Sequence, residues 1–290
     1  MEPSVFPQHA SEKNKAGTQS LAEKGAAFRA LHHREDAFII PNPWDIGTAY
    51  LLAHLGFEAL ATTSAGFAAS VGRRDYAVTR DEMIAHVAVI AAATTLPVSA
   101  DLQNGFGDAP EDATETIRLA AAAGAVGGSI EDSTGKPDRP IYEFKHAVER
   151  IRAASAAARA VSFPFTLTAR CENYLNGKPN IKDTIARLQA YQEAGADVLY
   201  APGIVSKEDI AAVVKSVDRP VNVLAGMPGL TMNRSELAAL GVKRISIGSG
   251  LSRVALSAFL RAASEMHDSG TFTFAHGTLM LSEIGSLFPE

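Results

Sequence analysis

Four acids and one arginine stand where they could act together. Asp101 closes the apolar run in "VSADLQNGFGD", Glu131 and Asp132 close "GGSIED", and Arg170 and Glu172 close "FTLTARCE". Each run is short and rich in small or β-branched residues, and the first passes directly into turn residues at Asn104-Gly105 and Gly107. Carboxylates gathered at one place repel unless positive charge lies among them. A hard divalent cation meets that need, and oxygen donors with retained waters point to Mg2+ or Mn2+. Arg170 and Glu172 are two residues apart, so on a strand they share a face. An arginine fork there suits a substrate carboxylate or phosphonate, or else a structural ion pair. Asp132 points away from its neighbour Glu131, which favours a structural role. The turn "TTSAG" offers a hydroxyl and backbone N–H groups, which suit an anion seat or an ordinary loop.

The elements that must position these groups repeat along the chain. Apolar β-rich runs occur at 38–42, 59–64, 97–102, 127–132, 165–172, 198–203, 220–225 and 244–249. They are nearly continuous rather than alternating, as expected of parallel strands buried on both faces. Helical stretches separate them, for example "RDEMIAHVAVIAAAT" and "PEDATETIRLAAAAG", the second opening on Pro110 and acids and closing on Gly124. Eight strand–helix alternations predict an α/β chain folded as a (β/α)8 TIM barrel, whose sites form at the C-terminal ends of the strands. A doubly wound open sheet is the alternative, but no G-x-G-x-x-G follows the first strand. Ionisable groups then gather at the ends of strands three to five, while strands six to eight end in "APG", "LAGMPG" and "GSG". No lysine stands at those last ends, and Lys243 precedes strand eight, which argues against Schiff-base chemistry. Cys171 is expected in the barrel wall. His32, His33, His54, His86 and His146 fall on helices or their ends and are expected at the surface.

The bulk properties set limits. The 290 residues are 47% hydrophobic and 20% charged, an ordinary globular composition, and the net charge of −5 speaks against a nucleic-acid or anionic-membrane partner. One cysteine excludes an intrachain disulfide and fits a reducing, cytoplasmic setting. There is no apolar signal core and no run of 18 apolar residues. Residues 1–20 are expected to form a loose tail ahead of one domain spanning 21–290.

The segments "NPWDIGTAYLLAHLGFEALATTSAGFAAS", "ADLQNGFGD", "SIEDS" and "TARCEN" together resemble the isocitrate lyase/phosphoenolpyruvate mutase superfamily, over about residues 22–265. The resemblance implies an α/β barrel that binds Mg2+ and a small 2-oxo or 2-hydroxy carboxylate and works through an enolate. It implies that Asp101 binds the metal, that Glu131 holds it through water, and that Gln103 stands where a second metal acid is usual. It places Asp75 on a mobile loop near the metal, Arg170 as the substrate anchor, and Trp44, Ser64, Ala65, Gly66 and Glu172 around the substrate. The lid "STGKPDRP" departs from the superfamily. It lacks the cysteine and histidine of the isocitrate and methylisocitrate lyases and the asparagine of the mutases, although Lys136 could serve there. Pro202 replaces the mutase histidine at strand six. The expected activity is therefore a Mg2+-dependent lyase or decarboxylase acting on an oxaloacetate- or malate-like acid. The alternatives are P–C bond chemistry of the mutase or phosphonopyruvate hydrolase kind, and a carboxylate-binding paralogue without turnover. The resemblance also implies a homotetramer, a dimer of dimers that exchange the segment from about Leu251 onward, hinged at Gly248–Gly250. No nucleic-acid or membrane partner is expected.

Overall fold

The structure, a computed structural model, describes residues 19–288. Most of the expected tail lies outside these residues, but Ser20 belongs to the fold. It caps the first helix, α1 (Leu21–Leu31), in a capping box with Glu23. Eight parallel strands follow, at the expected places and mostly shorter: β1 (Phe38–Ile40), β2 (Leu60–Ala61), β3 (Val98–Asp101), β4 (Gly127–Glu131), β5 (Thr166–Arg170), β6 (Val198–Tyr200), β7 (Val221–Leu224) and β8 (Arg244–Ser246). They pair in the order β1-β8-β7-β6-β5-β4-β3-β2. The seam between β1 and β2 carries no ladder. There the Ala61 N–H donates to the Pro41 carbonyl at 3.0 Å. The Asn42 side chain spans the same seam. Its Nδ2 donates to the Thr62 carbonyl at 2.9 Å, and its Oδ1 accepts from Ile247 N–H at 3.0 Å and Gly248 N–H at 2.9 Å. One amide thus ties three strand ends together, and the sheet is a (β/α)8 barrel.

The helices wrap the outside: α2 (Ile46–His54), α3 (Ser64–Ser70), α4 (Arg80–Ala93), α5 (Pro110–Ala122), α6 (Phe144–Ala160), α7 (Ile181–Glu193), α8 (Lys207–Ser216) and α9 (Arg234–Ala239). Outward strand residues such as Ile130, Leu167, Leu199 and Ile245 form one core with Ile117, Ile151, Leu188 and Val213 of the helices. The alternate, inward residues include Ser99, Ser129, Asn222, Arg244 and Ser246, so the barrel interior is polar and leaves a cavity. Below it, α1 closes the floor. Phe28 packs with Phe38, Ile40, Ala59 and Val126, and a Cβ at Gly127 would stand 2.8 Å from the Phe28 ring.

Two histidines expected at the surface are buried. His32 is edge-on to Phe28 and Phe38 at 4.9 and 5.0 Å, and burial lowers its pKa to about 3. His86 stacks on Phe67 at 4.0 Å, and burial lowers its pKa to about 4. His32, at the C-cap of α1, and His86, on α4, both turn toward the barrel, where neutral imidazole packs as an aromatic.

After β8 come α10 (Gly250–Ser269), a 3-10 turn at Thr273–Ala275, and α11 (Leu281–Gly285). Along α10 only Ser252 is buried, while Val254, Phe259 and Leu260 are 65%, 69% and 62% exposed. The chain returns at its end, where Phe288 meets Tyr50 of α2 edge-on at 6.3 Å. No helix among the described residues is long and apolar enough to cross a membrane.

Candidate active site

Asp101, Glu131, Arg170 and Glu172 meet at the C-terminal mouth of the barrel. Register sets Asp101 beside Ser129, and Glu131 beside Arg170, which lies beside Tyr200. Arg170 becomes the hub. Its Nη1 donates to Asp101 Oδ1 at 2.8 Å and its Nε to Glu172 Oε1 at 2.9 Å, while Nη2 lies 3.1 Å from Glu131 Oε2 and 2.8 Å from Glu172 Oε1. The guanidinium carbon stands 5.3 Å from the Tyr200 ring centroid. Arg170, Glu131 and Glu172 are nearly or fully enclosed, so these pairs are poorly screened. One cation cannot neutralise three acids. Burial, together with the charges of Glu172 and Asp101, holds the Glu131 carboxyl above the usual carboxylate range despite Arg170.

Asp101 is held from the other side as well. Its Oδ2 accepts from both the backbone N–H and the hydroxyl of Ser64, each at 2.9 Å, and its own N–H donates to Thr62 Oγ1 at 2.8 Å. The hydroxyl and backbone N–H that "TTSAG" offers at the start of α3 are thus directed at the protein's own Asp101. Ser64 and Ala65 line the cavity. Gly66 and Trp44 pack against each other behind it. A Cβ at Gly66 would come within 2.5 Å of Thr63 Cγ2 and 3.3 Å of Trp44 Cβ, so the position admits no side chain without a shift.

The loop between α3 and α4 covers one side. Asp75 Oδ1 accepts from Gln103 Nε2 and from the Tyr76 N–H, both at 3.0 Å. Asp75 stands at the rim, yet partial burial of its carboxylate, and then the charge of Asp101, raise its pKa. Tyr76, which the motifs did not single out, donates its hydroxyl to Glu131. Gln103 and Tyr76 both lie in the left-handed region, at φ 50° and 62°. Two non-glycine residues so placed mark a mouth whose loops are bent to bring side chains together.

Other expected residues lie outside this cluster. Lys136 Nζ is 2.6 Å from Asp108 Oδ2, on the outer side of the 133–140 loop. Asp108 also accepts from the Tyr142 hydroxyl at 2.7 Å, so the end of "VSADLQNGFGD" fastens the neighbouring loop. Asp132 belongs to the wall. It accepts from Glu172 N–H at 2.7 Å, Tyr191 hydroxyl at 2.6 Å and Arg187 Nη1 at 3.2 Å. Cys171 is fully buried among helix-facing residues, and burial raises its thiol pKa.

No three of the described His, Cys, Asp and Glu side chains converge closely enough to hold an ion by themselves. The donor set nevertheless fits a hard cation that keeps most of its water. Asp75 and Asp101 face one another with mutual repulsion, and Ser64, Gln103 and Glu131 add only oxygen and amide groups around them. The cavity measures ≈ 180 Å³. That is about six times the volume of a water molecule in the liquid, room for an acid of a few carbons.

The family model described as phosphoenolpyruvate phosphomutase matches residues 28–267. A crystal structure of a candidate lyase/mutase from Burkholderia cenocepacia J2315 is 61% identical, with a TM-score of 0.90, covering 93% of this chain and 97% of that one. An oxaloacetate decarboxylase of Paraburkholderia xenovorans is 32% identical over 256 residues, 85% of this chain and 83% of its own. A phosphonopyruvate hydrolase, solved in complex with oxalate and Mg2+, is 25% identical with a TM-score of 0.80, covering 91% of this chain and 94% of that one.

Proposed function

The chain belongs to the phosphoenolpyruvate phosphomutase family, within the isocitrate lyase/PEP mutase superfamily, and from that premise we propose that it is a divalent-metal-dependent carbon–carbon lyase for a small oxaloacetate- or malate-like acid. The observation that carries the reading is Arg170 at the centre of Asp101, Glu131 and Glu172, at the top of a cavity sized for such an acid. Asp101 would hold Mg2+ directly, with Asp75, Gln103 and Glu131 around it. When bound, the ion supplies positive charge against the enolate oxygen. Arg170 anchors the substrate carboxylate, exchanging part of its contact with the acids for the ligand. Tyr76 holds a proton at its hydroxyl against Glu131, at the edge of the same space. The test is an assay of the purified protein with Mg2+ and oxaloacetate, malate-type acids or phosphonopyruvate. Metal-dependent release of CO2 or a 2-oxo acid supports the reading. Release of phosphate alone would replace it with P–C chemistry, and metal-dependent oxalate binding without turnover would replace it with a binding role.

Isocitrate and methylisocitrate are expected not to be cleaved. Residues 133–140 contain neither thiol nor imidazole, Thr134 pins that loop through the Arg139 carbonyl at 2.5 Å, and the lone Cys171 is buried in the wall. A coupled glyoxylate or pyruvate assay is expected to stay at background. Turnover of roughly 1 s−1 or more, within the ordinary enzyme range, would overturn this.

We also propose a homotetramer built from dimers that exchange α10. Apolar side chains as exposed as Val254, Phe259 and Leu260 are unfavourable on a monomer, and a second copy of this barrel would cover them. Light scattering after size exclusion is expected to give the mass of four chains. A mass of one chain at micromolar concentration would exclude the exchange.

A further inference from the structure

Arg244 opens β8 and points into the barrel, where it lines the same cavity as Arg170. It is 5% exposed. Its Nε donates to Asn222 Oδ1 at 3.0 Å, and its Nη1 has no partner among the described residues. Two other guanidiniums are buried: Arg150 donates to the carbonyls of Ala109 and Asn104, and Arg187 is paired with Asp132 and Asp183 at 3.2 and 2.9 Å. Arg244 has no such acid. Burial lowers its pKa to about 10, and the nearby charge of Arg170 pushes in the same direction. His32, from the floor, is held neutral by its burial and by Arg244, so it brings no compensating charge. A buried cation without an anion is costly, and protein structures seldom retain one idly.

The surroundings are shaped to keep this guanidinium facing the cavity. Asn222 Nδ2 donates to Ser246 Oγ at 2.9 Å, which fixes the amide with its oxygen toward Arg244. The cavity is therefore polarised. Its mouth carries Asp75, Asp101 and Arg170, with Glu131 and Glu172 paired to Arg170 behind the lining, and its base carries the unbalanced positive charge of Arg244.

We infer that Arg244, braced by Asn222, receives a second carboxylate of the substrate at the base of the cavity and so makes the site selective for dicarboxylates. The inference rests on the lyase reading and narrows it. A carboxylate leaving as CO2 must give up its negative charge, and a guanidinium bound to it opposes that. The carboxylate on Arg244 is therefore retained, and the bond that breaks lies between the two carboxyl groups. For a 2-hydroxy dicarboxylate, a base takes the hydroxyl proton and the C–O bond becomes C=O. The C2–C3 electron pair moves onto C3 and its carboxylate, where Arg244 meets the added charge, and a proton returned to C3 completes a 2-oxo acid and a second acid. No other reactant is needed.

Calorimetric titration with Mg2+, using oxalate and malate on the wild type, Arg244→Met and Arg244→Lys, tests this. Oxalate reaches only the mouth, whereas malate extends to the base. Arg244→Met is expected to weaken malate by roughly 10- to 100-fold, the worth of a charged hydrogen bond, and to leave oxalate within about twofold. Arg244→Lys is expected to fall between on malate alone. It carries the same comparison if the methionine variant does not fold, which a thermal melt reports. Unchanged malate affinity in a folded variant, or equal weakening of both ligands, overturns the inference. So does a wild type that binds oxalate but no malate, and in that case the lyase reading survives. Arg244-dependent malate binding with no turnover of malate or any other acid in the assay has the opposite meaning: the carboxylate contact stands and the lyase reading fails.

Discussion

Replacing Arg170 with alanine is expected to produce a protein that binds no carboxylate and is strongly destabilised at neutral pH. The guanidinium contacts Asp101, Glu131 and Glu172, and the two glutamates are almost entirely enclosed. Removing one partner of a buried ionic network leaves the others uncompensated, at a cost of about 3–5 kcal/mol. The deficit should depend on pH in a defined direction. Burial and mutual repulsion already raise the Glu131 and Glu172 pKa values, with Arg170 opposing the rise, so its removal raises them further. A group whose folded pKa lies above its unfolded one contributes stability that is lost as pH rises through the folded value. The variant should thus melt closer to wild type at pH 5 than at pH 8. Equal melting temperatures for the two proteins at pH 8 would show that Arg170 does not hold the cluster together. Arg170→Lys keeps the charge but loses the fork, so it should fold better and still lose oxalate by about 2–5 kcal/mol.

Replacing Asp101 with asparagine is expected to abolish activity while sparing the fold. Asparagine keeps the shape and one acceptor for Ser64 or Arg170, but removes the charge that faces Asp75. Mg2+ affinity measured with oxalate present should fall on the order of 100-fold or more, beyond the 10- to 100-fold typical of outer-shell changes. A second readout needs no metal. Because the Asp101 charge helps raise the Asp75 pKa, the substitution should bring it down, which carboxyl NMR titration can follow. If both the metal affinity and the Asp75 titration stay as in wild type, Asp101 is not at the metal centre.

The barrel is legible because a strand buried on both faces has little choice of residue, and eight such runs alternating with helices favour a closed barrel over an open sheet. Helix α1 carries no such signal, since it precedes the repeat and its apolar residues serve the floor. His32 and His86 are hidden for a related reason. A place on a helix or at its end does not say which way the side chain turns, and both turn inward. Asp101, Glu131, Arg170 and Glu172 are legible because they stand at strand ends. Arg244 is not, because it lies at the start of β8 and reaches the cavity by its length. The alternation with Ser246 was the available signal. Tyr76 carried none, since its approach to Glu131 depends on a left-handed turn in a long loop.

The seam between β1 and β2 has a consequence for the chemical ageing of the protein. A single buried amide, Asn42, joins three strand ends, and converting it to aspartate would set a carboxylate oxygen against the Thr62 carbonyl that now accepts its proton. Spontaneous deamidation ordinarily begins when the next residue's backbone nitrogen attacks the side-chain amide. Here the next residue is Pro43, whose nitrogen carries no hydrogen to give up. The ring closure that starts the reaction is blocked at an asparagine whose loss would unfasten the seam.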